Sequence, residues 1–274
     1  MAEKISHYGS AIGEAIGAEM QDALNELMAK LADEHGYHFL STSPVQGKKR
    51  LLLFDNFGND YNVDAVLVNQ QTQPLILFEW KYIRYKKHNR DKASWVCSAH
   101  PAIRRRYGSI RSSIAVLAGS WSSSSIAIMK SSHINIFLVP FDRICKILDG
   151  FGVDFRWDEK DRQKSAVAWK TFYALSNSKK AQIGIEMANT IKDDLTALVL
   201  SILDDETERQ IESVTLEFRS TLGEVSEYKF DNIDKALDFL NTNELKDIFI
   251  VGDSPTLLDP RPTFGDEDEN DEIE

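Results

Sequence analysis

The sequence predicts an α/β (α+β) fold, and three observations predict it. An apolar stripe at helical spacing runs through residues 10–34, short apolar strands separated by turn residues occupy residues 50–82, and helix and strand then alternate again to about residue 150. In the first segment Ile12, Ile16, Met20, Ala23, Leu27 and Leu31 recur on one helical face, and Gly36 ends the helix. Tyr37–Thr42 can be extended. "RLLLF" (50–54) reads as a strand, "DNFGND" as a turn, "YNVDAVLV" (61–68) as a second strand, "NQQTQP" as a turn and "LILFEWKY" (75–82) as a third strand. A basic, helical region is expected through about residue 118, then a polar loop "GSWSSSS" (119–125), a strand at 134–141 and a helix near 142–149.

Beyond residue 150 the sequence predicts helices at 164–176 and 182–203, then a hairpin joined at Leu222-Gly223. An Asn-capped helix "NIDKALDFLNT" and a closing strand "DIFIV" follow. The expected organisation is a core over 1–176, a helical connector over 177–206, a small α+β appendage over 207–253 for dimerisation or DNA contact, and an acidic tail over 254–274. The last ten residues, "GDEDENDEIE", hold seven carboxylates and no base, the composition of a disordered tail.

With 42% hydrophobic and 27% charged residues, the chain has the composition of a globular domain with a substantial core. It has no apolar run near the roughly 20 residues of a membrane span, and its start "MAEKISHYGS" lacks the pattern of a secretion signal. Cys97 and Cys145 are the only cysteines and fall in no metal-binding spacing, so a cytoplasmic protein without disulfides or zinc is expected. The net charge of −11 argues against a nucleic-acid partner until its distribution is considered. Between residues 81 and 111, ten bases (Lys81, Arg84, Lys86, Lys87, Arg90, Lys92, Arg104, Arg105, Arg106 and Arg111) stand against the single acid Asp91, and Lys48-Lys49-Arg50 adds a second basic run. Because salt screens fields beyond about 8–10 Å, a local basic band can meet phosphate on an acidic protein.

Ionisable residues within apolar strands carry the chemistry. Side chains alternate along a strand, so Leu75, Leu77, Glu79 and Lys81 share one face, and Asp64 shares its face with Val66 and Val68. If "NQQTQP" closes an antiparallel pair, its centre near 71–72 sets Asp64 opposite Glu79, about 5 Å apart at Cβ. Two carboxylates there repel unless a cation lies between them, and a hard divalent ion such as Mg²⁺ takes such oxygens. Lys81, two residues further on, can touch water or a phosphate oxygen.

Asp64, fourteen residues, then Glu79-Trp80-Lys81 resembles the Asp…(Asp/Glu)-x-Lys signature of the PD-(D/E)xK nuclease superfamily, whose best-known members are type II restriction endonucleases. The resemblance extends to element order over about residues 10–150. The family often has Pro before the first Asp, where this chain has Val63. The resemblance implies a restriction-endonuclease-like core with a central mixed sheet flanked by helices. It implies Asp64 and Glu79 as ligands of Mg²⁺ (Mn²⁺ substituting), the Trp80 backbone carbonyl as a further ligand, and Lys81 acting on the nucleophilic water.

Many family members add an acid from the first helix. By helical angle Glu19 lies at the edge of the apolar stripe and is ranked first, Glu26 shares its flank, and Glu14 projects toward solvent. Asp55 and Asp60 belong to a turn, where Asp serves local hydrogen bonding. His88 and His100 have no motif around them. Trp95, Tyr107 and Trp121 interleave with polar residues and suit either DNA stacking or the core.

The expected function is a Mg²⁺-dependent endonuclease of duplex DNA, most of all a type II restriction enzyme. It would act as a homodimer, with the basic band on phosphates and a methyltransferase of the same site as companion. A repair, structure-specific or anti-phage nuclease of the same fold, or a DNA-binding module without chemistry, stands as the alternative.

Overall fold

The computed structural model describes residues 7–42, 50–85, 89–158, 160–242 and 248–249. The chain divides into two compact units, Met1–Thr207 and Glu208–Glu274. Among the described residues there are eight helices, none long and apolar enough to cross a membrane.

The first unit is mixed α/β, with a central five-stranded mixed sheet flanked by helices. Helix α1 (Tyr8–Glu34) comes first, one residue short of His35, and Gly36 follows at φ 75°, a left-handed position that glycine takes without a Cβ clash. Strands β1 (His38–Ser41), β4 (Ala65–Val68), β5 (Pro74–Ile83), β6 (Ser112–Gly119) and β7 (Asn135–Pro140) form the sheet in that spatial order. β4 runs antiparallel to both of its neighbours, β1 and β5, whereas β6 and β7 run parallel to β5. The parallel strands require crossovers, supplied by α2 (Asn89–Arg106) and α3 (Ser123–Ser131). One sheet face, through Phe78, Trp80, Val116 and Val139, packs under α1 and α4 (Phe141–Gly150). The other, through Ile83, Ala115 and Leu117, packs under α2 and α3.

Two expectations at the sheet need correction. "YNVDAVLV" is not one strand: β3 (Asp60–Asn62) pairs with β2 (Leu52–Phe54) in a separate ribbon, and the chain bends at Asp64 before β4 starts. The expected helix through 118 stops at Arg106, and Ser112–Gly119 is the buried strand β6. With both faces covered, such a strand shows no alternation for a sequence pattern to reveal.

The segment expected as a connector belongs to the first unit. The single helix expected over 182–203 is two, α6 (Asn177–Asn189) and α7 (Lys192–Leu203), preceded by α5 (Arg162–Ala174). α6 lies against α1 so closely that a Cβ on Gly184 would fall 2.1 Å from the Glu19 carbonyl oxygen. Backbone cannot yield there, so Gly184→Ala is expected to cost about 1–3 kcal/mol. Gly9→Ala, at a helical position with open space around it, is expected to be neutral or slightly stabilising. Thermal unfolding of the two variants measures the difference, and equal melting temperatures would show that α6 is not seated as described.

The second unit holds the expected hairpin, β8 (Val214–Arg219) and β9 (Val225–Phe230), followed by α8 (Ile233–Thr242), whose Lys235 N–H donates to Asn232 Oδ1 at 2.9 Å. Phe218, Tyr228, Phe230 and Phe239 form its aromatic cluster. The closing strand "DIFIV" and the acidic tail lie outside the described residues, apart from Ile248 and Phe249.

Candidate functional site

The β4–β5 register pairs Ala65 with Phe78 and Val66 with Leu77; continued by one step, it sets Asp64 opposite Glu79. Asp64 sits at the bend just before β4, so its side chain is free of the ladder. Its Oδ2 accepts the Trp80 backbone N–H at 2.9 Å and the Lys81 ammonium at 2.8 Å. Lys81 Nζ also donates to Glu79 Oε2. The three residues that the sequence singled out therefore meet, with one ammonium joining two carboxylates. The N–H and C=O of a strand residue face the same neighbour, so the Trp80 carbonyl also turns toward the Asp64 side.

Burial sets the electrostatics. Glu79 is 0% exposed. Burial, and next the Glu79 charge, push the Asp64 pKa up to about 6, against the pull of Lys81. Burial disfavours the Lys81 ammonium, but the Glu79 and Asp64 carboxylates outweigh it and hold its pKa above the ordinary lysine value. Lys81 is thus held as a cation that donates hydrogen bonds to both carboxylates. The Trp95 ring lies 5.5 Å from its Nζ.

Two supports of this site were not singled out in the sequence. The Thr42 N–H donates to the Asp64 carbonyl at 2.8 Å; the Thr42 carbonyl in turn accepts from Asn25 Nδ2 at 2.8 Å and Gln21 Nε2 at 3.2 Å, both on α1. The Trp80 indole donates to Asn25 Oδ1 at 3.0 Å. The available signal was Asn25, a buried polar residue inside the apolar face of α1. His100 of α2, discounted in the sequence, lies beside Glu79. It is fully buried, with Nε2 3.6 Å from Glu79 Oε1, and burial followed by the Lys81 charge lowers its pKa to about 3, so it is neutral.

Glu79 Oε1 is buried without a hydrogen-bond partner, an atom with capacity to spare for a cation. Two carboxylates with one such oxygen suit Mg²⁺, which binds through one or two carboxylates and keeps its other positions for water. Among the described residues no group of three His, Cys, Asp or Glu side chains gathers around a common point. Glu19 in particular does not join Asp64 and Glu79. Its pKa is raised by burial and then by Asp22, against Lys180, and it lines a cavity of about 360 Å³ with Asp22, Asn25, Glu26 and Ser41. The helical stripe is rotated from the expected one: Leu24 and Met28 are buried where Ala23 and Leu27 were expected, which turns Glu19 toward α6.

The basic band divides. Arg90, Arg105 and Arg106 are exposed, and Arg104 is half-buried. Lys92 is exposed with its Nζ donating to the Tyr82 carbonyl at 3.0 Å; partial burial, then the Lys81 charge, lower its pKa. Lys86 and Lys87 lie outside the described residues, as does His88.

Two arginines expected on phosphates are engaged within the protein instead, Arg111 at the surface and Arg84 in the interior. Arg111 forms an ion pair with Asp205 at 2.7 Å and donates to the Ile202 carbonyl at 3.1 Å, bracing the carboxyl end of α7, where a cation is favoured. Arg84 is 7% exposed. Its guanidinium lies 3.9 Å from the Trp157 ring centre and 4.1 Å from that of Phe155, and it donates to the Trp157 carbonyl at 2.8 Å and the Tyr85 hydroxyl at 2.7 Å. Stacking between aromatic faces makes it a structural clamp on residues 155–157. Arg84→Ala is expected to destabilise by about 2 kcal/mol or more, while Arg105→Ala leaves the melting temperature unchanged. A thermal melt in which both variants match the parent would count against the clamp.

No family model matches the chain, and no curated protein matches it significantly. A solved structure, the crystal structure of a protein of unknown function, AF1548, is similar over 68% of this chain and 98% of its own, at 11% identity and a TM-score of 0.31. At that level the likeness carries no argument.

Proposed function

We propose that this chain is a Mg²⁺-dependent endonuclease of duplex DNA with a restriction-endonuclease-like core, most of all a type II restriction enzyme. The observation that carries the proposal is the meeting of Asp64, Glu79 and Lys81 at the start of β4, alongside β5, with Glu79 fully buried and one of its oxygens unpartnered. Asp64, Glu79 and the Trp80 carbonyl would hold the metal, which supplies Lewis-acid neutralisation of charge building on the phosphate. The chain's own residues do the rest. Lys81, whose ammonium the two carboxylates keep charged, would donate to the phosphate or to the attacking water and bring a positive charge to the transition state. Thr42, with Asn25 and Gln21 behind it, fixes the backbone of Asp64. Arg90, Arg105 and Arg106 are placed to position DNA through phosphates without reading sequence. One site per chain and two strands to cut favour a homodimer. A restriction enzyme would also act beside a methyltransferase of the same site.

A second reading has its own observation. Lys81 bonds both carboxylates, so the trio also satisfies the needs of a buried ion triad in a DNA-binding module that does no chemistry. Incubating the full chain with phage-sized duplex DNA in Mg²⁺ or in EDTA decides between them. Discrete fragments in Mg²⁺ alone are the expected result. A metal-dependent smear would keep the chemistry and replace the restriction enzyme by a repair, structure-specific or anti-phage nuclease. DNA that is bound and never cut would leave the module.

A further inference from the structure

The turn between β2 and β3 is built with unusual care for a loop that holds no catalytic residue. Asp55 is buried, and its carboxylate accepts four hydrogen bonds: from the backbone N–H groups of Phe57 at 2.8 Å and Asn59 at 3.0 Å, from Asn59 Nδ2 at 2.9 Å and from the Tyr61 hydroxyl at 3.1 Å. Two further bonds fasten the turn to the end of α2. Arg106 Nη1 donates to the Asp55 carbonyl at 3.1 Å, and Asn56 Nδ2 donates to the Arg105 carbonyl at 3.3 Å.

The product of this bracing is an aromatic ring held out in water. Phe57 is 92% exposed at the tip, and Leu52 and Phe54 of the same ribbon are also exposed. An apolar ring in solvent gains nothing for the fold, whereas a rigidly presented one loses little entropy when it enters a partner. The charge around it selects that partner. Arg104, Arg105 and Arg106 end α2 beside the turn, Arg50 lies at the foot of the ribbon, and none of the four makes an ion pair among the described residues. Arginine flanking an apolar wedge is the chemistry of a protein that unstacks and bends a duplex.

We propose that this turn is a wedge that drives Phe57 into the base stack of duplex DNA, with Arg105 and Arg106 on the flanking phosphates. The proposal rests on the DNA reading above and deepens it. Phe57 lies seven positions before Asp64, a reach of at most roughly 25 Å, so the distortion falls within one helical turn of about 34 Å from the phosphate at the site. The cutting site and the unstacked step are then coupled through one short ribbon.

The test compares the affinity of the full chain, in EDTA, for a short mixed-sequence duplex and for the same duplex with one central abasic site, where part of the unstacking is already done. The parent is expected to bind the abasic duplex roughly tenfold more tightly. Phe57→Ala is expected to bind both alike, and Phe57→Trp to keep the preference; circular dichroism verifies that each variant is folded. Equal affinities for the parent overturn the wedge, as does a preference that survives in Phe57→Ala or a Phe57→Ala loss that is the same for both duplexes. In those cases the ribbon serves another contact, a protein surface included. If the parent binds neither duplex, the DNA reading itself falls, an outcome distinct from failure of the wedge alone.

Discussion

Asp64→Asn is expected to lower Mg²⁺-dependent DNA cleavage by at least about a thousandfold while leaving DNA affinity in EDTA unchanged or slightly improved. Asn keeps an oxygen for the Trp80 N–H and for Lys81 Nζ, so the bend before β4 survives. What is lost is one of the two carboxylates that would hold the metal, and charge neutralisation by a metal is worth several kcal/mol, each 1.4 of which is about a factor of ten in rate. Removing a negative charge from beside a phosphate cannot weaken binding by electrostatics. Single-turnover cleavage and a gel-shift titration on the same duplex separate the two effects. Cleavage retained within a factor of ten in Asp64→Asn would sink the proposed chemistry.

The second large effect concerns stability and is independent of any reaction. Lys81→Met leaves Glu79, fully buried, without the ammonium that pairs it. Breaking a buried ion pair from one side costs about 3–5 kcal/mol, because the abandoned charge stays desolvated. For a unit of this size that lowers the melting temperature by roughly 10 °C. The double variant Glu79→Gln/Lys81→Met removes both charges and is expected to recover most of the loss. A single variant that melts like the parent would mean that solvent reaches Glu79.

The central hairpin was legible because its signals are local. Two apolar runs, one short turn and the two-residue period of a strand placed Asp64 opposite Glu79, and the observed register continues to that pairing. β6 was not legible, since a strand covered on both faces carries no period. The face of Glu19 was missed for a different reason. A stripe drawn through Ala23 and Leu27 differs by only part of a turn from the true one through Leu24 and Met28, and that rotation decides where a carboxylate points. Arg84 and Arg111 were grouped with the basic band because sequence records charge and neither depth, which hides Arg84, nor a distant partner such as Asp205, which engages Arg111. Phe155 and Trp157, which enclose Arg84, lie just over seventy positions away, beyond any window of local pattern. His100 was invisible as a neighbour of Glu79 for the same reason.

The seating of α6 on α1 bears on how the protein is made. Gly184 meets the backbone at Glu19, and the Tyr37 hydroxyl donates to the Leu203 carbonyl at 3.3 Å, so the opening helix finds its last partners about 165 residues later. At a synthesis rate of about 5–20 residues per second, roughly ten to thirty seconds pass between the emergence of α1 and that of α6. During that interval the flank of α1 that receives α6 is bare on the ribosome. A chain cut short just before α6 would hold the sheet with Asp64, Glu79 and Lys81 in place and that flank open, a species for chaperones and proteases.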